Sequence, residues 1–411
     1  MNVNGVNLRY GLHPHGHPRG IPRPPHAGYA AAEQTSDNRT SRGTSAMKIT
    51  KIHTDILRIP EDDPLADMPE EAGRLRPIVI LRVQTDAGIE GIGLTFYGGA
   101  MTGTLRSAVD ELGALTIGED PLRIEAIVRK LRLAAGDSCG PAGIFLLALA
   151  AIDVALWDIK GKALEQPLWK LLGGTRDRVN TYASGSLRRG LTDAQAATAA
   201  RRLVEKGFVE MKTQMALPGN PSPAEEVRRV RVVRDAIGPD IKLMCDINQR
   251  WRVEQAIDIG KRAEDVGLFW LEDVTVCDDY AGLARINAAL STPIAGGEYL
   301  WGVTPHRHAI EARAVDYVMV DLVRAGGVTP WLKIAGMAEA FNLPIVSHVI
   351  PEFHCQLIGA IPNGLTVEYM PWMLKLFHET PPVVDGHIEL PETPGWGLAF
   401  DPAALAKFRV G

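Results

Sequence analysis

Three acidic side chains at equal spacing are the part of this sequence best suited to chemistry. Asp246, Glu272 and Glu298 each end a short apolar run, and successive members are 26 residues apart. One unit of a parallel β/α barrel takes about this length. Acidic residues also cap helices after strands, but capping accounts for one such carboxylate more easily than for three. The pattern predicts carboxylates that converge at the C-terminal face of a barrel, where their oxygens suit a hard cation such as Mg²⁺.

The strands that would position these groups recur through the second half of the chain. Eight short apolar runs alternate with helical patterns, at 179–183, 208–212, 241–245, 268–271, 293–295, 317–320, 344–346 and 366–367. An open doubly wound sheet more usually stops at about five to seven strands. Eight strands therefore favour a closed (β/α)₈ TIM barrel.

A smaller α+β domain is predicted before the barrel. Strands at 48–59, 77–85 and 89–96, the last two joined by a turn at 86–88, precede helical patterns at 103–115, 121–133 and 141–162. Pro121 follows Asp120, which favours Pro121 as a first helical residue. We expect an α+β capping domain at 47–165, a barrel at 166–384, and a C-terminal segment at 385–411 that returns to the capping domain.

Two polar stretches lie outside this pattern. Residues 1–46 have no hydrophobic period, so we expect a disordered or mis-assigned extension before Met47. The polar loop 61–76 is longer than is needed to join two strands, and loops of this kind are usually disordered or functional. Together with the turn at 95–101, it is a candidate for substrate contacts. Arg74, Arg76 and Tyr97 are the candidate contacts, although each could equally be a solvated loop residue.

Composition excludes several classes of protein. The 411 residues are 46% apolar with a net charge of −5, so the chain offers no basic field for nucleic acid. The longest apolar run, at 142–152, is too short to cross a bilayer. Four cysteines without C-x-x-C spacing suit a reducing compartment. We therefore expect a cytoplasmic protein without nucleic-acid or membrane partners.

Further reactive side chains fall at the other strand ends. Asp321 ends the sixth predicted strand and His348 the seventh, so a barrel brings them together, and a carboxylate can fix the tautomer of an imidazole. This pair predicts a general base at His348. Lys212, at the end of the second strand, is placed to pair with an anionic substrate. Glu368 ends the eighth strand.

The ordered motifs resemble those of the enolase superfamily, mandelate racemase subgroup, from about residue 47 to the C-terminus. They are Lys212-Thr-Gln214, Asp246-Ile-Asn248, Trp270-Leu-Glu272-Asp, Gly-Gly-Glu298, Asp321-Leu-Val-Arg-Ala-Gly-Gly, Ser-His348, Val-Glu368-Tyr and the helical stretch 151–162. The resemblance implies a capping domain over a modified barrel and a homo-oligomer. It also implies Mg²⁺ bound by Asp246, Glu272 and Glu298, which stabilises the enediolate formed when a base removes the α-proton of a carboxylate.

The resemblance also suggests roles for two neighbouring residues. Glu368 would donate a hydrogen bond to the substrate, which requires a protonated carboxyl with a raised pKa, as crowded acidic groups favour. Asn248 would hydrogen-bond the substrate or a water on the metal.

One departure from the family pattern decides between reactions. Gln214 stands where racemizing members have a second lysine, and an amide does not take a proton at neutral pH. A single base, His348, favours syn elimination of water from a sugar acid, an aldonate or aldarate, to give a 2-keto-3-deoxy acid. The stretches 351–354 and 368–372 also resemble the sugar-acid dehydratases. The alternatives are an epimerase, racemase or lactone cycloisomerase with Gln214 orienting the substrate, and a non-catalytic metal-binding scaffold.

Overall fold

The computed structural model describes residues 47–61, 65–66 and 75–410. The predicted extension 1–46 lies outside the described residues, as does most of the loop 61–76, including Arg74.

The N-terminal part is a three-stranded antiparallel sheet covered by helices. Its strands are β1 (Ile49–Pro60), β2 (Leu75–Thr85) and β3 (Glu90–Thr95), paired in that order. Its helices are α1 (Thr102–Ala114), α2 (Ile124–Leu131), the short α3 (Asp137–Cys139) and α4 (Ile144–Ala163). The predicted start of α2 at Pro121 is wrong, because Asp120 Oδ1 accepts from the N–H of Leu122 in a turn that precedes the helix.

The second part is a closed barrel of eight parallel strands. They are β4 (Arg178–Leu187), β5 (Glu210–Gln214), β6 (Lys242–Asp246), β7 (Trp270–Glu272), β8 (Ile294–Gly296), β9 (Tyr317–Asp321), β10 (Ile345–His348) and β11 (Gly364–Tyr369). Each strand pairs in parallel with the next along the chain. Parallel pairing of β11 with β4 closes the ring. The expected TIM barrel with an N-terminal α+β domain is thereby confirmed.

The barrel is filled and surrounded as this architecture requires. Side chains of Tyr182, Met244, Trp270, Met319 and Val346 pack as a separate cluster of fully buried residues contributed by the strands. The helices are α5 (Leu168–Leu171), α6 (Asp193–Glu205), α7 (Pro223–Ile237), α8 (Val253–Ala263), α9 (Tyr280–Ala289), α10 (Val303–Glu311), α11 (Leu322–Ala325), α12 (Val328–Ala340) and α13 (Pro351–Ala360). Capping boxes at Thr192 and Ser222 begin α6 and α7.

Helix α4 joins the two parts because it is apolar nearly all round. Strand β3 passes so close to it that a Cβ on Gly93 would lie 2.0 Å from the carbonyl oxygen of Ala151. The buried carboxylate of Asp158 accepts from the N–H of Ile92 at 2.9 Å and from the N–H of Trp396 at 3.0 Å. One side chain on α4 therefore ties the small sheet to the C-terminal segment.

The C-terminal segment contacts both parts of the molecule. Strand β12 (Val383–Val384) pairs with β13 (His387–Glu389), which pairs antiparallel with β4 of the barrel. Helix α14 (Pro402–Phe408) follows, and the N–H of Val410 donates to the carbonyl oxygen of Ile56 on β1. Within the described residues, no helix is both long and apolar enough to span a membrane.

Candidate active site

Strand register brings the predicted polar residues together at the C-terminal face of the barrel. Asp246 on β6 is paired in register with Gln214 on β5 and with Glu272 on β7. Asp321 on β9 is likewise paired with His348 on β10. Parallel strands whose last residues are in register must present their side chains at one rim. Of these, Gln214, Asp246 and His348 line a cavity of about 110 Å³, together with Lys212, Glu298 and Glu368.

The imidazole of His348 lies between two carboxylates. Its Nδ1 is 2.6 Å from Asp321 Oδ2, and its Nε2 is 3.1 Å from Glu298 Oε2. The other Asp321 oxygen accepts from the N–H groups of Val323 and Arg324, at 2.8 and 2.7 Å. An ionised carboxylate only accepts, so Asp321 fixes the proton of neutral His348 on Nδ1 and leaves the Nε2 lone pair toward the cavity.

The local charges set the pKa of each member of this pair. Burial lowers the pKa of His348, but the charge of Glu298 and the hydrogen bond to Asp321 outweigh burial and raise it. Burial would raise the pKa of Asp321, but the hydrogen bond and charge of His348 hold that pKa well below its usual range. Asp321 is therefore an anion, as the orientation of the imidazole requires.

Tyr97 and Arg324 complete the surroundings of the pair. The Tyr97 hydroxyl donates to Asp321 Oδ2 at 2.7 Å and lies 3.3 Å from His348 Nδ1. The guanidinium carbon of Arg324 is 3.9 Å from the centre of the Tyr97 ring, and this side chain also donates to the carbonyl oxygen of Glu298 at 2.9 Å. Tyr97 comes from the N-terminal domain, so that domain reaches the reactive imidazole of the barrel.

Lys212 is the buried cation of the site. Its Nζ donates to Glu272 Oε1 and is 2.8 Å from Glu368 Oε1. Glu368 also accepts from the Ser184 hydroxyl at 2.7 Å and from the N–H of Val349 at 2.6 Å. Burial would raise the pKa of Glu368, but the charges of Lys212 and His348 lower it to about 2.

The raised pKa expected for Glu368 is therefore wrong in direction. This carboxylate accepts from three donors, which are Lys212, the Ser184 hydroxyl and the N–H of Val349, so it is held as an anion. Burial instead raises the pKa of Glu272, to about 8.

The acidic side chains around Lys212 have the composition of a metal site. Oxygens of Asp246, Glu272 and Asp273 all lie within 4.8 Å of one another, and each residue is buried. Burial, then the charges of Glu272 and Asp246, raise the pKa of Asp273, whose Oδ2 has no hydrogen-bond partner among the described residues. Burial also raises the pKa of Glu298. Such carboxylates are costly unless a cation neutralises them, so the donor set fits a hard divalent ion.

The three predicted metal ligands do not form one compact group in the structure. Asp246 and Glu272 belong to the compact group, whereas Glu298 contacts His348 and Asp273 takes the third place. However, Asp246 and Glu298 line the cavity, and Asp273 does not. Asp273 was missed by sequence reasoning, although it directly follows Glu272.

Gln214 and Asn248 form an amide network with Arg189. Gln214 Oε1 accepts from the backbone N–H and from Nε of Arg189, at 3.2 and 3.3 Å. Asn248 Oδ1 accepts from Gln214 at 3.3 Å and from the Arg189 guanidinium, while its own N–H groups donate to Asp246 at 2.7 and 2.6 Å. Gln214 is thereby fixed as a neutral amide on the cavity wall. A second base would need a side chain that can take a proton, and an amide cannot.

Arg76, predicted as a substrate contact, does not line the cavity. Its guanidinium is 3.0 Å from Glu61 Oε1 and lies over the ring of Trp372, with 4.3 Å between the guanidinium carbon and the ring centre. Ser184 at the cavity, Arg189 behind Gln214 and Asn248, and Arg324 beside Glu298 were also missed. The sequence signal for these residues was only that each follows a predicted strand or belongs to one of the motifs named in the sequence analysis.

A closed parallel barrel with an acidic cluster and a His–Asp pair at its strand ends, covered by an α+β domain, is the architecture of the enolase superfamily. Family models agree: residues 63–173 match the mandelate racemase/muconate lactonizing enzyme N-terminal domain, and residues 195–404 match the enolase C-terminal domain-like family. The chain belongs to the mandelate racemase/muconate lactonizing enzyme family of that superfamily.

Characterised relatives show which reactions accompany this architecture. The chain is 33% identical over 383 residues to L-talarate/galactarate dehydratase of Salmonella typhimurium, covering 92% of this chain and 94% of the relative. It is 32% identical over 370 residues to 3,6-anhydro-alpha-L-galactonate cycloisomerase of Streptomyces coelicolor, covering 88% of this chain and 100% of the relative. The crystal structure of L-talarate dehydratase from Polaromonas sp. JS666, complexed with Mg and L-glucarate, superposes with a TM-score of 0.80 at 32% identity, covering 89% of this chain and 98% of that one.

Proposed function

We propose that this protein is a Mg²⁺-dependent dehydratase of a sugar acid, an aldonate or aldarate, which it converts to a 2-keto-3-deoxy acid. The observation that carries the proposal is that His348 is the single imidazole in the described lining of the cavity, where it is fixed by Asp321. The position of a second base is Gln214, an amide held by Arg189. The relatives support the reaction class, since L-talarate/galactarate dehydratase is one of them.

Asp246, Glu272 and Glu298 would hold the ion. We prefer Glu298 to Asp273 as the third ligand because Glu298 lines the cavity that the substrate enters. When bound, Mg²⁺ supplies positive charge to a substrate carboxylate and so makes the adjacent C–H bond more acidic. A Glu298 side chain engaged by the ion would also leave His348 Nε2 free of its present contact.

The protein's own groups supply the remaining steps. Lys212, held by Glu272 and Glu368, donates to the substrate carboxylate and stabilises the charge that develops on its oxygens. His348 Nε2 removes the α-proton, and Asp321 stabilises the resulting imidazolium. The same nitrogen then returns the proton to the β-hydroxyl, the C–O bond breaks, water leaves, and the enol product tautomerises to the keto acid.

A lactone cycloisomerase is the second candidate, favoured by the 32% identical relative that has a cycloisomerase activity. The single imidazole accommodates such a reaction as well. A non-catalytic scaffold is disfavoured, because a scaffold would need the acidic residues of the cation site but not an imidazole that Asp321 orients at the cavity wall.

The experiment is incubation of the purified protein with a panel of aldonates, aldarates and sugar lactones, with Mg²⁺, in D₂O. A dehydratase yields a keto acid, detected as its semicarbazone. The product carries one deuterium at C3, the carbon that lost the hydroxyl, because the enol takes up a solvent deuteron there as it becomes the keto acid. Recovery of deuterated substrate without keto acid would indicate an epimerase. Interconversion of lactones without keto acid would indicate the cycloisomerase.

A further inference from the structure

The cavity has a second basic side chain that the proposed chemistry does not use. Arg188 lines the cavity together with Lys212 and His348. It directly follows Leu187, the last residue of β4, and Leu187 is in register with Thr213, between Lys212 and Gln214 on β5. Arg188 therefore lies at the rim of the wall that carries Lys212.

Among the residues that the structure describes, the Arg188 side chain differs from the neighbouring cations in having no partner. Lys212 is engaged by Glu272 and Glu368, and the guanidinium of Arg189 is engaged by Gln214 and Asn248. Within 47–61, 65–66 and 75–410, the half-buried Arg188 side chain has neither a hydrogen bond nor an ion pair. A guanidinium at the wall of a cavity with its donors free is suited to an anionic group of a ligand.

The other charged side chains of the cavity favour Arg188 as the place where a second anionic group of the ligand binds. Asp246, Glu298 and Glu368 also line the cavity, and each bears a carboxyl group. The reacting carboxylate of a substrate belongs at the bound cation and Lys212, at the floor. A second carboxylate further along the substrate would face this acidic lining, and Arg188 is the cation of the described lining left to receive it.

We infer that Arg188 binds the distal carboxylate of the substrate, and that the substrate is therefore an aldarate, a sugar acid with a carboxylate at each end. This inference rests on the proposed dehydratase activity and narrows its substrate class. An aldonate ends in a neutral hydroxymethyl group, which offers the guanidinium no opposite charge and only one hydroxyl. Arg188 acts remotely from the reacting atoms, so it contributes binding rather than chemistry.

The test compares six-carbon aldarates with the aldonates of the same configuration, using wild type, Arg188→Met and Arg188→Lys with Mg²⁺. Charge-assisted hydrogen bonds of this kind correspond to about 10- to 100-fold in affinity. We expect wild type to prefer the aldarate, and Arg188→Met to lose about that factor in kcat/KM for the aldarate, mainly through a higher KM. Turnover of the aldonate should fall far less, because only a contact to one neutral hydroxyl is lost. Arg188→Lys should be intermediate because lysine lacks the bidentate fork.

Arg201→Met, at an exposed position of α6, is the matched control and should leave both substrates unaffected. Arg188→Lys keeps the charge, and it is the second variant to measure if Arg188→Met folds poorly. Equal losses for aldarate and aldonate, or a wild-type enzyme that prefers aldonates, would overturn the inference while leaving the dehydratase intact. No keto acid from either class with wild type would instead overturn the proposed function.

Discussion

Asp321→Asn is the sharpest test of the His348–Asp321 pair, because the structure dictates how an amide would sit there. One carboxylate oxygen of Asp321 accepts from the N–H groups of Val323 and Arg324, and the other faces His348 and Tyr97. An asparagine must keep its oxygen on the two backbone donors. Its NH₂ group is then directed at His348 Nδ1 and at the Tyr97 hydroxyl.

This orientation reverses the imidazole. An NH₂ group donates, so His348 Nδ1 must accept and the ring proton moves to Nε2, the nitrogen that should act as the base. Rotating the amide to restore the tautomer would leave two buried N–H groups unsatisfied, at about 1 to 3 kcal/mol each. The productive tautomer is thus disfavoured by about 2 to 6 kcal/mol, which corresponds to a fall in kcat of about 30-fold to about 10⁴-fold.

The assay is steady-state formation of the keto acid at saturating Mg²⁺, together with exchange of the substrate's α-proton for deuterium in D₂O. Both should fall together, since one nitrogen performs both proton transfers. Thermal unfolding should change little, because the asparagine fills the same space and keeps the two backbone bonds. Asp401→Asn is the matched control, because Asp401 caps α14 through the N–H of Ala403 far from the cavity. Undiminished kcat in Asp321→Asn would refute the role of the pair.

Three further outcomes are expected. Glu298→Gln should weaken Mg²⁺ binding, measured by calorimetry, more than Asp273→Asn does, and the reverse order would make Asp273 the third ligand. Tyr97→Phe removes a 2.7 Å hydrogen bond to Asp321 and should lower kcat about 10-fold with Mg²⁺ affinity unchanged, whereas an effect on KM alone would assign Tyr97 to the substrate. Burial raises the pKa of Asp153 from 3.8 to about 7, so its contribution to stability is present at low pH and is lost as pH rises through about 7. Asp153→Asn should therefore gain about 3 kcal/mol relative to wild type in urea unfolding between about pH 5 and pH 8, and a pH-independent difference would contradict this.

Much of the fold was legible in the sequence because barrel strands are buried on both faces and recur at a steady interval. The eight predicted strands all exist, and their ends shift by only a few residues. The equal spacing of Asp246, Glu272 and Glu298 indicates neighbouring strand ends for the same reason, since register converts equal chain intervals into adjacent positions at the rim. The start of α2 could not be predicted, because Asp120 is used in a turn before the helix and not as its cap.

Side-chain direction at the strand ends was the part that sequence could not supply. Asp273 and Arg188 each come immediately after a strand, where a small backbone rotation decides whether a side chain meets the cavity. The backbone of Asp273 adopts a positive φ of 43°, which no spacing indicates. Likewise, Glu368 was expected to be protonated because the family resemblance gives it a donor role and crowded acidic groups favour a raised pKa. Its contact with Lys212, which reverses that expectation, depends on pairing across the barrel.

The Arg189 network explains why the protein would have one base and not two. In this family's racemizing pattern, the Gln214 position bears an amine, and a neutral amine accepts the proton. Here a guanidinium approaches that position to 3.3 Å. A lysine placed there would meet a permanent positive charge, which lowers the pKa of the lysine but also pushes its amine away from the network. Glutamine instead offers its carbonyl oxygen to Arg189 and its NH₂ to Asn248, and Asn248 in turn donates to the Asp246 carboxylate. The residue that stands in place of a second base thereby also supports a candidate metal ligand, and both features fit the proposed elimination on one face of the substrate.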